Sequence, residues 1–246
     1  MSPLKSTVPT RHQPFVTWAL ILINAVVFLV QAGMSEGELD GFLQRFALIP
    51  ARYFGGEPFG SSTLSPLSYL PFLTNTFLHG GWLHLILNMW TLWLFGPAVE
   101  DRLGPTWFLL FYLVCGVLAS VTHALSDPGS TAPALGASGA IAGVLGGYTI
   151  MFPWSRVVVL VPVLFLPLFF PLPAIVFTGF WFVAQLLSGT AQLLVGEASG
   201  GIAWWAHVGG FIAGMALTPI LRQSPRDYRP YQGDEAVLGF APRIRR

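Results

Sequence analysis

Long apolar stretches, broken by short polar or Gly- and Pro-containing segments, set the plan of this chain. A bilayer core about 30 Å thick asks for roughly 20 apolar residues per helix. Six stretches meet or approach that length: Phe15 to Ala32, Trp82 to Val99, Pro105 to Leu125, Ser138 to Phe152, Pro173 to Leu194 and Ile202 to Leu221. The first follows Lys5 and Arg11, is too long for a signal-peptide core and has no small-x-small cleavage site after it, so it reads as a retained span. Residues 33 to 81 form the longest loop, with Glu36, Glu38 and Asp40 among Gly, Pro and Ser. The tail after Arg222 is polar and Pro-containing, and is expected to be mobile.

A seventh apolar stretch, Val157 to Leu172, is interrupted by Pro162, Pro167 and Pro171. An interior proline costs a helix about 3 kcal/mol. The basic residues arbitrate, because cytoplasmic loops collect Lys and Arg. Six spans with both termini inside leave Lys5, Arg11, Arg102, Arg156, Arg222, Arg226, Arg229, Arg243, Arg245 and Arg246 on the inner side, against Arg45 and Arg52 outside. A seventh span would move the six arginines from Arg222 onward outside and invert the bias. Six spans are therefore expected, with 157–172 a hydrophobic connection lying against the inner membrane face or the bundle. The chain divides into a cytoplasmic N-terminal segment (1–14), a six-span domain (15–222) and a flexible cytoplasmic tail (223–246).

Composition agrees. Of 246 residues, 54% are hydrophobic and 9% are charged, where a soluble domain carries about 25% charged. Mean hydropathy is +0.65. A net charge of +1 offers no basic field, so a nucleic-acid binder is excluded along with a soluble enzyme and a disordered chain. The lone Cys115 excludes an intrachain disulfide framework and a zinc ribbon. The fold class is an all-α, multi-pass membrane protein.

Ionisable and polar groups inside spans are costly and call for a reason. His84 and Asn88 are four apart near the outer end of the second span and share one face. His207 sits in the second turn of the sixth. Ser138 opens the short fourth span, and if Pro153 marks the inner surface, that serine lies roughly 8 Å below the outer one. All four groups thus fall at similar depth. The loop 127–137 must dip into the membrane to reach Ser138, which irregular backbone tolerates only inside protein or beside a wet cavity. At a helix N-terminus the free N–H groups and the dipole favour negative charge, as a tetrahedral oxyanion needs. Gly136 and Gly139 flank the serine, and His207 is the natural base for it. No buried carboxylate is at hand to orient His207, so the arrangement reads as a dyad.

Each signal alone has a plainer reading. Gly-x-Ser-Gly is weak in a chain with 27 glycines, and Gly139, Gly143 and Gly147 also form a helix-packing stripe. Gly210 and Gly214 repeat that spacing after His207, a residue that alone reads as hydrogen-bonded to a neighbouring helix. His79, His84 and Asn88 lack the spacing and acidic partner of a metal site, so neither metal nor cofactor is expected. His12 and His123 read as surface or loop histidines. A transporter or proton channel using His84 and His207 would show matched halves, and no internal repeat is visible.

Taken together, these residues resemble the rhomboid family of intramembrane serine proteases over roughly Asn75 to Met215. The likeness rests on His79-x4-His84-x3-Asn88, Glu100-x-Arg102-x-Gly104, Gly136-Ala-Ser138-Gly139 and Ala206-His207-x2-Gly210-x3-Gly214, in that order. It implies a six-helix bundle with Ser138 as nucleophile and His207 as general base and acid. His84, Asn88 and the Ser138 N–H would form the oxyanion hole, with His79 supporting. Glu100 and Arg102 would brace the inner ends of the second and third spans. The fifth span, with Phe180 and Trp181, would be the mobile side through which substrate enters. Substrates would be single- or multi-pass membrane proteins, cut near the outer face of the lipid bilayer after a small residue. Some members carry an aromatic residue four positions after the serine, packed on the histidine; here it is Ala142, leaving Trp204 or Trp205 to orient His207. A non-proteolytic relative that binds membrane-helix clients is the alternative, though it could drop Ser138 or His207 and this chain keeps both. The short N-terminal segment favours a bacterial cytoplasmic membrane.

Overall fold

The computed structural model describes residues 2–54, 65–163, 166–195 and 203–222. Strand β1 (Ser2–Ser6) leads into α1 (Phe15–Ala32), α2 (Glu36–Phe46), α3 (Ala51–Phe54) and α4 (Pro71–Thr74). There follow α5 (Trp82–Leu103), α6 (Pro105–Ser126), α7 (Ser138–Met151), the strands β2 (Arg156–Val163) and β3 (Leu166–Pro173), then α8 (Ala174–Val195) and α9 (Trp204–Leu221). Five helices (α1, α5, α6, α8 and α9) are long and apolar enough to cross a membrane, and α7 is a shorter apolar helix. At 14 residues it spans about 21 Å. The helical membrane bundle expected from the apolar stretches is present.

Differences from expectation are local. α5 continues past Val99 through Glu100, Asp101 and Arg102 to Leu103. Partners described below take up these polar groups. The loop 33–81 contains helix α2, whose start is capped by the Glu38 carboxylate, which accepts from the Ser35 N–H (2.9 Å) and hydroxyl (2.7 Å). The 157–172 segment is no span, but neither is it a shapeless connection: β2 and β3 pair antiparallel, and β1 pairs antiparallel with β2 to give the order β1-β2-β3. Val157 and Val159 are fully buried, so one face of β2 packs on the bundle with the period of two that a strand requires. Pro167 and Pro171 fall on β3, an edge strand of this sheet, where a missing donor is tolerated. The polar tail lies outside the described residues.

α7 is the hub, buried along nearly its whole length. It runs parallel to α9 in a shared four-residue rhythm. A Cβ at Gly210 would strike the Gly139 carbonyl, one at Gly214 the Gly143 carbonyl, and one at Gly147 would lie 2.9 Å from Thr218 Oγ1. Only glycine lets the two backbones touch this way. α1 lies at the periphery but turns a polar stripe inward: Thr17, Asn24 and Gln31, seven residues apart, are all buried.

At the end of the bundle away from Ser138, the N-terminal segment is stitched on. Ser6 Oγ and Ser155 Oγ lie 2.6 and 2.9 Å from Tyr148 Oη, and the exposed His12 contacts Asp101 Oδ1 through its N–H (3.0 Å) and its Nδ1 (2.7 Å).

Candidate active site

Ser138 is the first residue of α7, and the loop that delivers it is fixed by backbone bonds. Leu48 and Ala134 exchange hydrogen bonds (3.0 and 2.8 Å), the Ala51 N–H reaches the Ser130 carbonyl (2.9 Å), and the Gly136 N–H donates to the Asn75 carbonyl (2.9 Å). Irregular backbone is thus satisfied within protein, as its depth demands. Gly136 has φ +134, a conformation side chains rarely adopt, and a Cβ there would lie 2.8 Å from the His84 ring and 3.6 Å from Ser138 Oγ. That position needs glycine for conformation and for space, and the same distances put the His84 ring beside the serine hydroxyl.

The structure brings Ser138 and His207 together: His207 Nε2 lies 2.8 Å from Ser138 Oγ. The contact follows from the glycine seam, since Gly139, the residue after Ser138, touches Gly210, about one turn after His207. On the ring's other side, His207 Nδ1 lies 2.7 Å from Gln185 Oε1. The Trp181 ring is tilted over the imidazole at 5.7 Å, and Trp204 meets it edge-on at 6.3 Å. Of the two tryptophans expected to orient His207, only Trp204 touches it; Trp205 turns to α8, where a Cβ on Gly189 would come within 3.1 Å of its Nε1. The main contacts to the ring instead come from Gln185 and Trp181. The signal available for Gln185 was an amide within an apolar span, which calls for a partner.

Asn88, one turn below His84, is buried and donates from Nδ2 to His79 Nε2 (3.1 Å), while the His79 and His84 rings meet edge-on at 5.1 Å. His79 precedes α5, and burial, helped by His84, pushes its pKa down to about 4, so it stays neutral near pH 7. Gln31 of α1 clamps its backbone, accepting from the His79 N–H (3.1 Å) and donating to its carbonyl (3.3 Å). The sequence reading missed this support, although the seven-residue spacing of Thr17, Asn24 and Gln31 carried the signal.

Behind Ser138 is a cavity of about 20 Å³, lined in part by Asn75, Ser120 and His123, which is room for one water molecule. His123 was expected at the surface or in a loop; it lies on α6 and lines this recess.

Glu100 and Arg102, on the second span, also reach elements outside the second and third spans. The Glu100 carboxylate accepts from the Val16 N–H (2.9 Å), the Thr17 N–H (2.8 Å) and the Thr17 hydroxyl (2.7 Å), and so caps α1. A carboxylate at a helix N-terminus meets both the free N–H groups and the dipole. The Arg102 guanidinium lies 5.3 Å over the Phe152 ring, at the end of α7. Among the described residues no three His, Cys, Asp or Glu side chains gather as metal ligands.

A multi-pass helical membrane protein with a serine hydroxyl on an imidazole just inside one end of its bundle is a narrow class. Residues 66–224, more than half the chain, match the family model for the rhomboid domain. The chain belongs to the rhomboid family. It is 29% identical to the mitochondrial rhomboid protein 1 of Saccharomyces cerevisiae, over 83% of this chain and 52% of that one. It is 31% identical to the mitochondrial presenilin-associated rhomboid-like protein of Mus musculus, over 80% of this chain and 46% of that one. A putative rhomboid protease of Bacillus subtilis is 38% identical over 32% of this chain and 39% of its own. The chain spans about half the length of the first two of these relatives. Their mitochondrial names run against the expectation of a bacterial cytoplasmic membrane. That assignment is corrected to a multi-pass integral membrane protein.

Proposed function

We propose that this protein is an intramembrane serine endopeptidase that cuts membrane-spanning helices of other proteins near the outer face of the bilayer. The observation that carries the reading is the 2.8 Å contact between Ser138 Oγ and His207 Nε2 at the opening of α7. His207 takes the hydroxyl proton as Ser138 attacks a peptide carbonyl. The oxyanion forms beside the free N–H groups of the first turn of α7, within reach of His84 and Asn88. His207 then returns the proton to the leaving amine, and water hydrolyses the acyl-enzyme. A substrate helix must unwind to offer such a carbonyl, because an intact helix holds its carbonyls in internal hydrogen bonds. Both termini face the cytoplasm in this reading, which puts the serine toward the outer leaflet. Membership of the rhomboid family supports the same chemistry.

The test uses purified protein in vesicles with a reporter membrane protein. Ser138→Ala and His207→Ala each abolish cleavage, and a fluorophosphonate probe labels the parent protein but not Ser138→Ala. Undiminished cleavage by either variant rules the dyad out; a parent protein that neither cuts nor labels points to a client-binding relative.

A further inference from the structure

We propose that Gln185 is a positioning residue of this site, fixing which nitrogen of His207 faces Ser138. The proposal rests on the serine–histidine reading above. Three contacts form a single chain: Ser138 Oγ to His207 Nε2 at 2.8 Å, His207 Nδ1 to Gln185 Oε1 at 2.7 Å, and Gln185 Nε2 to the Trp181 carbonyl at 3.3 Å.

The direction of this chain is determined from its far end. A backbone carbonyl only accepts, so the amide nitrogen of Gln185 donates to Trp181 and its oxygen is left facing the imidazole. An amide oxygen also only accepts, so the proton of neutral His207 resides on Nδ1. Nε2 is then left with its lone pair toward the Ser138 hydroxyl, which is the tautomer that general-base catalysis needs. Where a soluble hydrolase uses a buried carboxylate for this task, a neutral amide does it inside a membrane without adding a charge.

The setting of Gln185 fits a dedicated role. It is 6% exposed, while Phe180, Val183 and Leu187 on the same helix are 72%, 51% and 65% exposed. Trp181, one turn earlier, covers the imidazole face. α8 therefore supplies both the hydrogen-bond acceptor and the ring that hold His207, and the base is oriented only while α8 lies against α9. Among the described residues, the titratable neighbours of His207 are His84 of α5 and His123 of α6, so among these an acid introduced at position 185 acts on an imidazole flanked only by imidazoles.

The test compares the full-length parent with Gln185→Met, which keeps the length but loses the acceptor, and Gln185→Glu, which keeps an acceptor. The readouts are the ¹⁵N NMR tautomer of His207, assigned by its loss in His207→Ala, and kcat and KM on a reporter substrate across pH. The parent shows the Nδ1–H tautomer. Gln185→Met shows a mixture, with kcat down about 10²-fold and KM unchanged, as expected for a misplaced catalytic group. Gln185→Glu restores the tautomer and most of kcat, and moves the acid limb of the pH profile upward, because a carboxylate favours the imidazolium. A Gln185→Met protein with the parental tautomer or parental kcat overturns the proposal. Should that variant fail to fold, an unmoved acid limb in Gln185→Glu overturns it instead. Failure of the underlying dyad shows itself separately, as continued cleavage by Ser138→Ala or His207→Ala, and removes this proposal with it.

Discussion

α9 and α8 both hold His207, and they do so by opposite means. α9 carries the histidine and is locked to α7 by backbone contact, with Gly210 and Gly214 seated on the carbonyls of Gly139 and Gly143. α8 reaches the same ring with side chains. It is otherwise tied to α7 by the Thr149–Thr178 hydroxyl contact at 2.8 Å, and much of its surface faces outward. Distance between serine and histidine is thus set by a backbone seam, and orientation of the ring by side chains of a second helix. Proximity and alignment are separable quantities here, and different substitutions reach each.

The largest expected effect comes from opening the seam. Gly214→Leu drives a side chain into the Gly143 carbonyl, destabilises the fold by about 1–3 kcal/mol, and separates Ser138 from His207. Cleavage falls by 10²-fold or more, on the order of what a misplacement of about 1 Å costs. Thermal unfolding in detergent and reporter cleavage measure the two losses together; a stable Gly214→Leu protein with full activity would break the idea that backbone contact sets the distance. Next in size is Asn88→Ala, which leaves both α8 and α9 untouched and lowers kcat by about 10²-fold, as for loss of one oxyanion donor, with unchanged KM and a modestly lower melting temperature, because the buried His79 Nε2 loses its donor.

Smaller effects test the far end of the bundle. Glu100→Ala leaves the N–H groups of Val16 and Thr17 and the Thr17 hydroxyl without their acceptor and destabilises the protein by about 1–3 kcal/mol. Its kcat below the new melting temperature stays parental, because Glu100 caps α1 and reaches neither helix that holds His207. The smallest is a pH effect. His79 titrates at about 4 in the fold against 6.5 for the free side chain, so the unfolded chain takes up its proton first as pH drops. Its contribution to stability is intact above about pH 6.5 and is lost as pH falls toward 4. His79→Gln accordingly shows a shallower fall in melting temperature than the parent between those values.

The spans were legible because a bilayer imposes length and polarity so strictly that Phe15 to Ala32 has almost no other reading. Basic-residue bias kept 157–172 out of the span count, yet its strands went unseen. β2 is flanked by β3 and by β1, the latter more than a hundred residues away, and hydropathy carries no record of either pairing. Ser138, His84, Asn88 and His207 stood out as polar groups at one depth. Gln185 did not, because a neutral amide carries neither the charge nor the ring that marks a histidine's partner in a sequence. Glu100 and Gln31 were hard for a related reason: each acts on backbone atoms of a distant segment, and every residue has those.

The sheet ties the first residues of the chain to its middle, with Ser2 opposite Leu160. Four apolar helices, the membrane-length α1, α5 and α6 and the shorter α7, lie between the paired strands. During synthesis the leading strand must wait, unpaired, until all four have been threaded into the lipid and the hairpin has emerged behind them. Completion of the sheet is therefore a late event that registers correct insertion of everything before it. A bulky group fused ahead of Ser2 would sit where that final closure takes place.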